Sequence, residues 1–481
     1  MIYPLIGYAP DIDQTTPGVI TDCNAIIPTF KGLKAAPGAN DGGIDALAST
    51  CFGAASLRDL DNSIRTFAGV ATKIYEQSGS SWVDVSGSAY NAAIDQPWRF
   101  AQFGNVALAS NKGDAIQASA TGNFAAISGA PKAAVIETVN QFVFALNIND
   151  GADKPNGYAC CALGDYTDWV ESVATQSISG TLDTTPGPIS AGKRFGSNLV
   201  VYKAESVFLF RYAGAPTVWD IEEIPGSVGA VSQEAVVSVG TPEHPEHIFW
   251  GKNDIYRYDG SRPIPIGSPI RETVFGELSQ LYASRVKTIH DPINTLVYFF
   301  YPTSLGTIDK CVVYNYKTDK WGRDNRTIEA AFDYVSPGIS WDTIDTYYPT
   351  WDSITDVSWD SPFWTAQNVT PAVFNASHQI QTLDGISGSW YITTGDYGDN
   401  NTFSLLDRVK PKYLTANANV TMTNYYRDDQ GVSLTSDITT NQSSYRFDVL
   451  RSSRWHRFMF NGSGAMEMNA IDVSFQADGD E

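Results

Sequence analysis

Between residues 64 and 335 the chain repeats one pattern of apolar and polar positions. An apolar or alternating run of strand length is followed by a Gly- or Asn-bearing turn, a second run carrying an aromatic, and often a closing Trp. "IRTFAGVATKIYEQSGSSWVDVS" shows it as strand, turn, strand from Lys73 to Tyr75, Ser-Gly-Ser turn and strand from Trp82. "WRFAQFGNVALASNKGDAIQAS" repeats the plan with turns at Phe103-Gly104-Asn105 and Asn111-Lys112-Gly113. Further copies end at Trp169, Trp219 and Trp321, 50 and then 102 residues apart, the second interval being about two units. A four-stranded propeller blade takes roughly 40 residues or slightly more. One such blade cannot bury both of its faces alone, whereas a ring of blades buries every inner face and leaves only short edges. The pattern therefore predicts an all-β protein built on a β-propeller of five to seven blades, with six expected, over residues 41–335.

Outside the repeat the pattern changes. "GSPIRETVFGELSQLYASRVKTI" places Ile270, Val274, Phe275 and Leu278 at helical spacing behind Pro269, which predicts a helical insertion between blades near 268–289. Residues 1–40 hold Pro10-Asp11, Thr16-Pro17-Gly18 and Pro37-Gly38 and no sustained period, as expected of an extended N-terminal arm. Residues 370–481 alternate apolar and polar positions over long spans and predict a C-terminal antiparallel β-sandwich-like domain.

Residues 336–369 form the remaining piece, a linker with a repeat of its own. Trp341-Asp342, Trp351-Asp352 and Trp359-Asp360 recur after ten and then eight residues, too closely for propeller blades of the Trp-Asp type. Each Asp is placed to close a turn on its own backbone, with its Trp packing on whatever lies beneath. The expectation is a strap between the last blade and the C-terminal domain, or onto a neighbouring subunit. The alternative is a glycan platform made of Tyr347, Tyr348, Trp351 and Trp364.

Composition narrows the function classes. Aromatics at 12%, 40 Gly and 24 Pro suit short strands and tight turns. A net charge of −21 repels nucleic-acid phosphate unless a local basic patch intervenes. No apolar run approaches the roughly 18 residues of a membrane span. "MIYPLIGYAPDIDQTTPG" lacks the basic and apolar regions of a secretion signal, so synthesis and folding in a cytosol are expected. Cys23, Cys51, Cys160, Cys161 and Cys311 fit neither a disulfide framework nor a zinc pattern and are expected as buried thiols.

Candidate chemistry is sparse. Glu243, His244, Glu246 and His247 in "TPEHPEHIFW" carry metal-ligand types, but a strand puts positions three apart on opposite faces, so a solvated interblade loop is expected. "GPISAGKR" (187–194) has Arg194 where a phosphate loop needs Ser or Thr, and reads as a turn before a strand; Asn461-Gly462-Ser463-Gly464 reads as a hairpin turn. The separations that paired carboxylates need for glycoside hydrolysis are three-dimensional, and 53 acidic residues leave many pairs open. The densest basic cluster is Arg446, Arg451, Arg454, His456 and Arg457. On one strand Arg451 and Arg457 share a face and Arg454 takes the other, and in an acidic protein their expected targets are carboxylates of a neighbouring subunit or of the N-terminal arm. Arg451, Arg454, Arg457, Trp341, Trp351 and Trp359 are accordingly the candidate interface residues; no catalytic, metal or cofactor residue is assigned.

The order of phrases along the chain carries a resemblance. The N-terminal Pro10-Asp11 and Pro37-Gly38 segment leads into "FAGVATKIYEQSGSSWVDVS" and "WRFAQFGNVALASNKGDAIQ". These are followed by "FLFRYAGAPTVWDIEEIPGSVGAVSQEAVVSVG", "IFWGKNDIYRYDGSRPIPIG", "VVYNYKTDKWGR" and finally "RSSRWHRFMFNGSGAMEMNAIDVSFQADG". Taken together, and over nearly the whole chain, they resemble the tail hub or nozzle proteins of short-tailed bacteriophages, also called packaged-DNA stabilisation proteins. The resemblance implies a non-enzymatic virion subunit made in the host bacterial cytoplasm, six copies of which form a tube below the portal and adaptor proteins. Double-stranded DNA passes through the lumen without tight binding, and tail fibre or needle proteins are implied as further partners. The clustered Trp-Asp repeats depart from the pattern. The competing expectation is a carbohydrate-binding or carbohydrate-active propeller protein.

Overall fold

The computed structural model describes residues 1–336, 344–348, 350–355, 364, 368–429, 431–440 and 445–478. Within them the repeat folds as four-stranded antiparallel blades whose innermost strands stand side by side around a central channel. The innermost strands are Gly53–Arg58, Arg99–Phe103, Lys132–Val139, Ile189–Phe195, Val236–Gly240, Lys287–Asp291 and Ile328–Val335. Ile328–Val335 lies beside Gly53–Arg58, so the ring closes at seven blades rather than the expected six.

Apolar layers between blades hold the ring together. Phe142, Phe144, Phe210 and Trp219 fill the space between blades 3 and 4, with edge-to-face packing of Trp219 on Phe144 at 5.0 Å between centroids. Ala191, Val200, Tyr202, Phe249 and Tyr258 do the same between blades 4 and 5. The turns follow the local sequence: Asn140 and Gln141 both take positive φ (48° and 64°) in the two-residue hairpin that joins Val139 to Phe142. Gly69 is required by close approach, because a Cβ there would lie 2.2 Å from the Trp98 ring.

The seventh blade, at the upper end of the expected five to seven, is the one assembled from distant segments. Its inner strand Ile328–Val335 is followed by Val369–Asn375 and Ile380–Gly385, and its outermost strand is Gly38–Asn40 from the far N-terminal side. The propeller thus includes residues 369–385, of which 370–385 are placed by sequence in the C-terminal domain. The Trp-Asp segment is an insertion between the first two strands of this blade, not a linker between domains.

Residues 1–35 are likewise not a free arm. They contribute short strands to both sheets of the C-terminal sandwich. In one sheet Gly7–Tyr8 and Val19–Asn24 extend Ser389–Gly398, Trp455–Ser463, Val420–Arg427 and Thr435–Thr440. In the other, Leu33–Ala35 and Ile26–Pro28 extend Phe447–Ser453, Ser404–Thr415 and Glu467–Ala477, with Ile2–Pro4 also paired to Glu467–Ala477. Ile26 then pairs with Arg323 on the outer strand of blade 6, so sandwich and propeller share one continuous sheet. Apart from Val19–Asn24 these strands are two or three residues long, too short to show a period of two, which is why this segment reads as irregular in sequence.

The interblade helix is present but shorter than its apolar spacing implied: Arg271–Glu277, then a 3₁₀ segment Gln280–Arg285. Its cap comes from the N-terminal segment, where Asp11 accepts the Glu272 and Thr273 backbone N–H groups and the Thr273 hydroxyl. Behind it, Arg323 donates to Tyr8 Oη (3.0 Å) and to Glu277 (2.6 Å), and Tyr301 donates to the same carboxylate at 2.8 Å. This buried network joins the N-terminal strands, blade 6 and the helix.

Candidate functional site

A cavity of about 420 Å³ is the propeller channel, and all seven innermost strands line it. Six of them, or the turn that leads into one, each contribute one charged side chain, alternating in sign around the ring: Arg99, Glu137, Lys193, Glu234, Lys287 and Asp333. Blade 1 contributes Ala54, Ala55 and Ser56 instead. The inner strands run alongside one another, so position along each strand sets height in the channel. Arg99 and Lys287 begin their strands and Glu234 precedes its own, whereas Glu137, Lys193 and Asp333 fall in the second halves of theirs.

The two levels differ in bonding. At the first, Arg99 holds Glu234 through two parallel bonds of 2.7 and 3.0 Å and also donates to the Ala134 carbonyl at 2.5 Å. Lys287 Nζ stands 4.0 Å from the same carboxylate. Burial opposes ionisation of Glu234, but Arg99 and Lys287 together outweigh it and hold the group at about 2. Burial pulls the Lys287 ammonium below its ordinary value, with Glu234 opposing. This level crosses the channel with paired charge.

At the second level no carboxylate lies within 4.0 Å of Lys193 among the described residues. Burial raises Glu137, with Lys193 opposing. Asp333 faces the channel solvent but is walled in by protein, and burial pushes it up to about 6 against the opposing effects of Lys193 and the His290 backbone N–H. Blades 3, 4 and 7 supply these three groups, which line the channel without an ion pair among them.

The residues singled out from sequence have other placements. Arg451 and Arg457 do not share a strand: the chain breaks at Arg454, leaving Arg451 on Phe447–Ser453 in one sheet and Arg457 on Trp455–Ser463 in the other. Arg451 grips Asp437 with bonds of 2.7 and 3.0 Å and lies over the Tyr426 ring at 4.5 Å. Arg457 donates to Asp396 (2.8 Å) and to Gln14 of the N-terminal segment (2.5 Å). The side chain of Arg454 covers Phe403 at 4.8 Å. The own-chain contact anticipated for this cluster is therefore present for Arg457, through an amide rather than a carboxylate of the N-terminal segment. Trp341 and Trp359 lie outside the described residues. Trp351 is 57% exposed, while Tyr348 is buried, packs on Trp364 and donates to Asn40.

His247 is a second correction. Rather than sitting in a solvated loop, it lies on Pro245–Trp250, fully buried, with Nδ1 2.7 Å from Tyr202 Oη and Nε2 2.9 Å from the Arg194 carbonyl. Glu246, on the opposite face, pairs with Arg257. The described residues hold no cluster of His, Cys, Asp or Glu able to take a metal. "GPISAGKR" supplies most of an inner strand, with Lys193 turned into the channel, and Asn461–Ser463 continue a strand where Gly462 accommodates the Trp390 ring. All five cysteines are buried, as expected. No helix among the described residues is long and apolar enough to cross a membrane.

The fold and its channel define a β-propeller protein with an appended β-sandwich. No protein-family model matches the sequence, and no curated protein matches it. Among solved structures the chain is similar to apo AztD from Citrobacter koseri, with 12% identity, TM-score 0.36 and coverage of 71% of this chain and 82% of that one. It is also similar to YCF48 from Cyanidioschyzon merolae (10%, 0.36, 73% and 99%) and to the N-terminal domain of Nup159 (9%, 0.37, 76% and 94%).

Proposed function

We propose that this chain is a non-enzymatic structural subunit of a short-tailed bacteriophage tail, a hub or nozzle whose copies form a ring below the portal and adaptor. The ring retains packaged DNA and lets it leave at infection. The observation that carries the reading is electrostatic. At a net charge of −21 the protein also holds many of its cations on its own carboxylates, among them Arg65 on Glu76, Arg257 on Glu246, Arg285 on Asp95 and Arg451 on Asp437. A conduit wall must not grip a moving duplex, since each phosphate held by a cation adds affinity that passage has to undo. The propeller channel, crossed by the Arg99–Glu234 pair, is not the conduit on this reading. The duplex runs between copies, past surfaces whose excess charge is negative.

The reading is tested on DNA-filled capsids that carry portal and adaptor but no further tail proteins. Adding the purified chain is expected to protect the packaged genome from nuclease. Loss of DNA at the rate seen without the chain would defeat the proposal.

A further inference from the structure

A second cavity, about 270 Å³, opens where blades 6, 7 and 1 meet and shares Lys287 with the channel. Its walls are mainly apolar: Cys51, Phe52, Ile94, Leu305, Ile308 and Ile328. Leu305 and Ile94 are 86% and 45% exposed, which places them at its mouth.

The charged groups around it have hydrogen-bonded partners except one. Arg285 is held by both Asp95 oxygens (2.7 and 3.1 Å) and donates to the Gly306 carbonyl. Glu329 accepts from the Cys51 backbone N–H at 2.9 Å and lies 2.7 Å from His378 Nδ1. Glu234 is taken up by Arg99. Lys287 is only 7% exposed, and among the described residues its ammonium makes no hydrogen bond; its nearest charge is Glu234 at 4.0 Å. A buried cation without a close partner is costly, and an arriving anion relieves that cost.

We propose that this cavity binds a small aliphatic monocarboxylate, its carboxylate on Lys287 and its hydrocarbon chain along the wall toward Leu305 and Ile94. The chemistry follows from one cation without a hydrogen-bond partner at the inner end and mainly apolar side chains from there to solvent. The size follows from the volume, which is just below the roughly 300–1,000 Å³ of drug-sized sites. The proposal goes beyond the tail reading and does not depend on it.

The test is calorimetric titration of the full chain with hexanoate, with hexan-1-ol as the uncharged control, in the native protein and in Lys287→Met and Leu305→Asp. Hexanoate is expected to bind one per chain, at least tenfold more tightly than the alcohol. Lys287→Met should weaken it at least tenfold, and Leu305→Asp should weaken it through the charged, less apolar mouth. The proposal is overturned if hexanoate gives no binding up to about 10 mM, if the alcohol binds equally well, or if neither variant changes the affinity. Should Lys287→Met fail to fold, the alcohol comparison and Leu305→Asp, which alters only an exposed turn, decide the question.

Discussion

Replacing Asp396 with alanine is expected to destabilise the protein by about 4 kcal/mol, in the range found when one partner of a buried ion pair is removed. Asp396 is almost fully buried and is the shared counter-charge of Arg427 and Arg457, themselves only 16% and 15% exposed. Its loss removes the one carboxylate that both of these guanidinium groups contact. The damage should spread to the N-terminal segment, because the Asp396 backbone N–H donates to the Gln14 carbonyl at 2.7 Å and Arg457 holds the Gln14 side chain. Urea unfolding is expected to show a lowered midpoint with an unchanged slope, which separates lost stability from a change of denatured state. Hydrogen exchange in residues 16–20 should quicken in the same variant. A midpoint within error of the native protein would show that the two arginines find other partners and that the network does not hold the segment down.

Acid should unfold the protein over a defined window. Burial lowers His247, His290 and His456 to about 4. An unfolded histidine titrates near 6.5. A depressed histidine contributes stability that is present above the unfolded value and is lost as the pH falls through the folded one. Each of the three therefore withdraws support between about pH 6.5 and pH 4, to a total of about 3 kcal/mol apiece. Asp333 acts in the opposite direction: its raised value is a cost at neutral pH that protonation relieves below about 6. Burial raises Glu137, Asp254 and Asp291 in the same direction, while the lowered Glu234 counts on the side of the imidazoles. His247 is the best single probe, because as the neutral ring it accepts from Tyr202 Oη and donates to the Arg194 carbonyl. A fall in Tm beginning near pH 6, made shallower in His247→Gln, is the expected result. A Tm flat to pH 4 would mean that these rings charge without penalty in the folded state.

How much of this was readable in advance depends on how local each feature is. Blades 1 to 6 were legible because their strands follow one another in sequence across short turns, as in "WRFAQFGNVALAS" and its strands Arg99–Phe103 and Val106–Ser110. Blade 7 was not, since its outer strand Gly38–Asn40 comes from the other side of the ring in sequence and its first two strands are parted by the Trp-Asp insertion. The channel charges do carry a signal in the sequence. Glu137 in "KAAVIETV" and Asp333 in "IEAAFDYV" each interrupt an apolar stretch in the second half of an inner strand, and a channel-facing charge recurs once per blade from Arg99 to Asp333. His247 misled because Pro245 reads as a loop residue, yet it opens an edge of the strand that carries the ring inward. The arginine cluster misled through a single residue: with Arg454 at a bend, parity along one strand no longer relates Arg451 to Arg457.

The central claim is that copies of this chain close into a tail ring. It is tested most directly by native mass spectrometry of the purified chain, titrated across concentration and then with portal–adaptor complexes. The account predicts a closed ring of six copies, formed either alone or on the connector as template. A chain that stays monomeric on that template would contradict it.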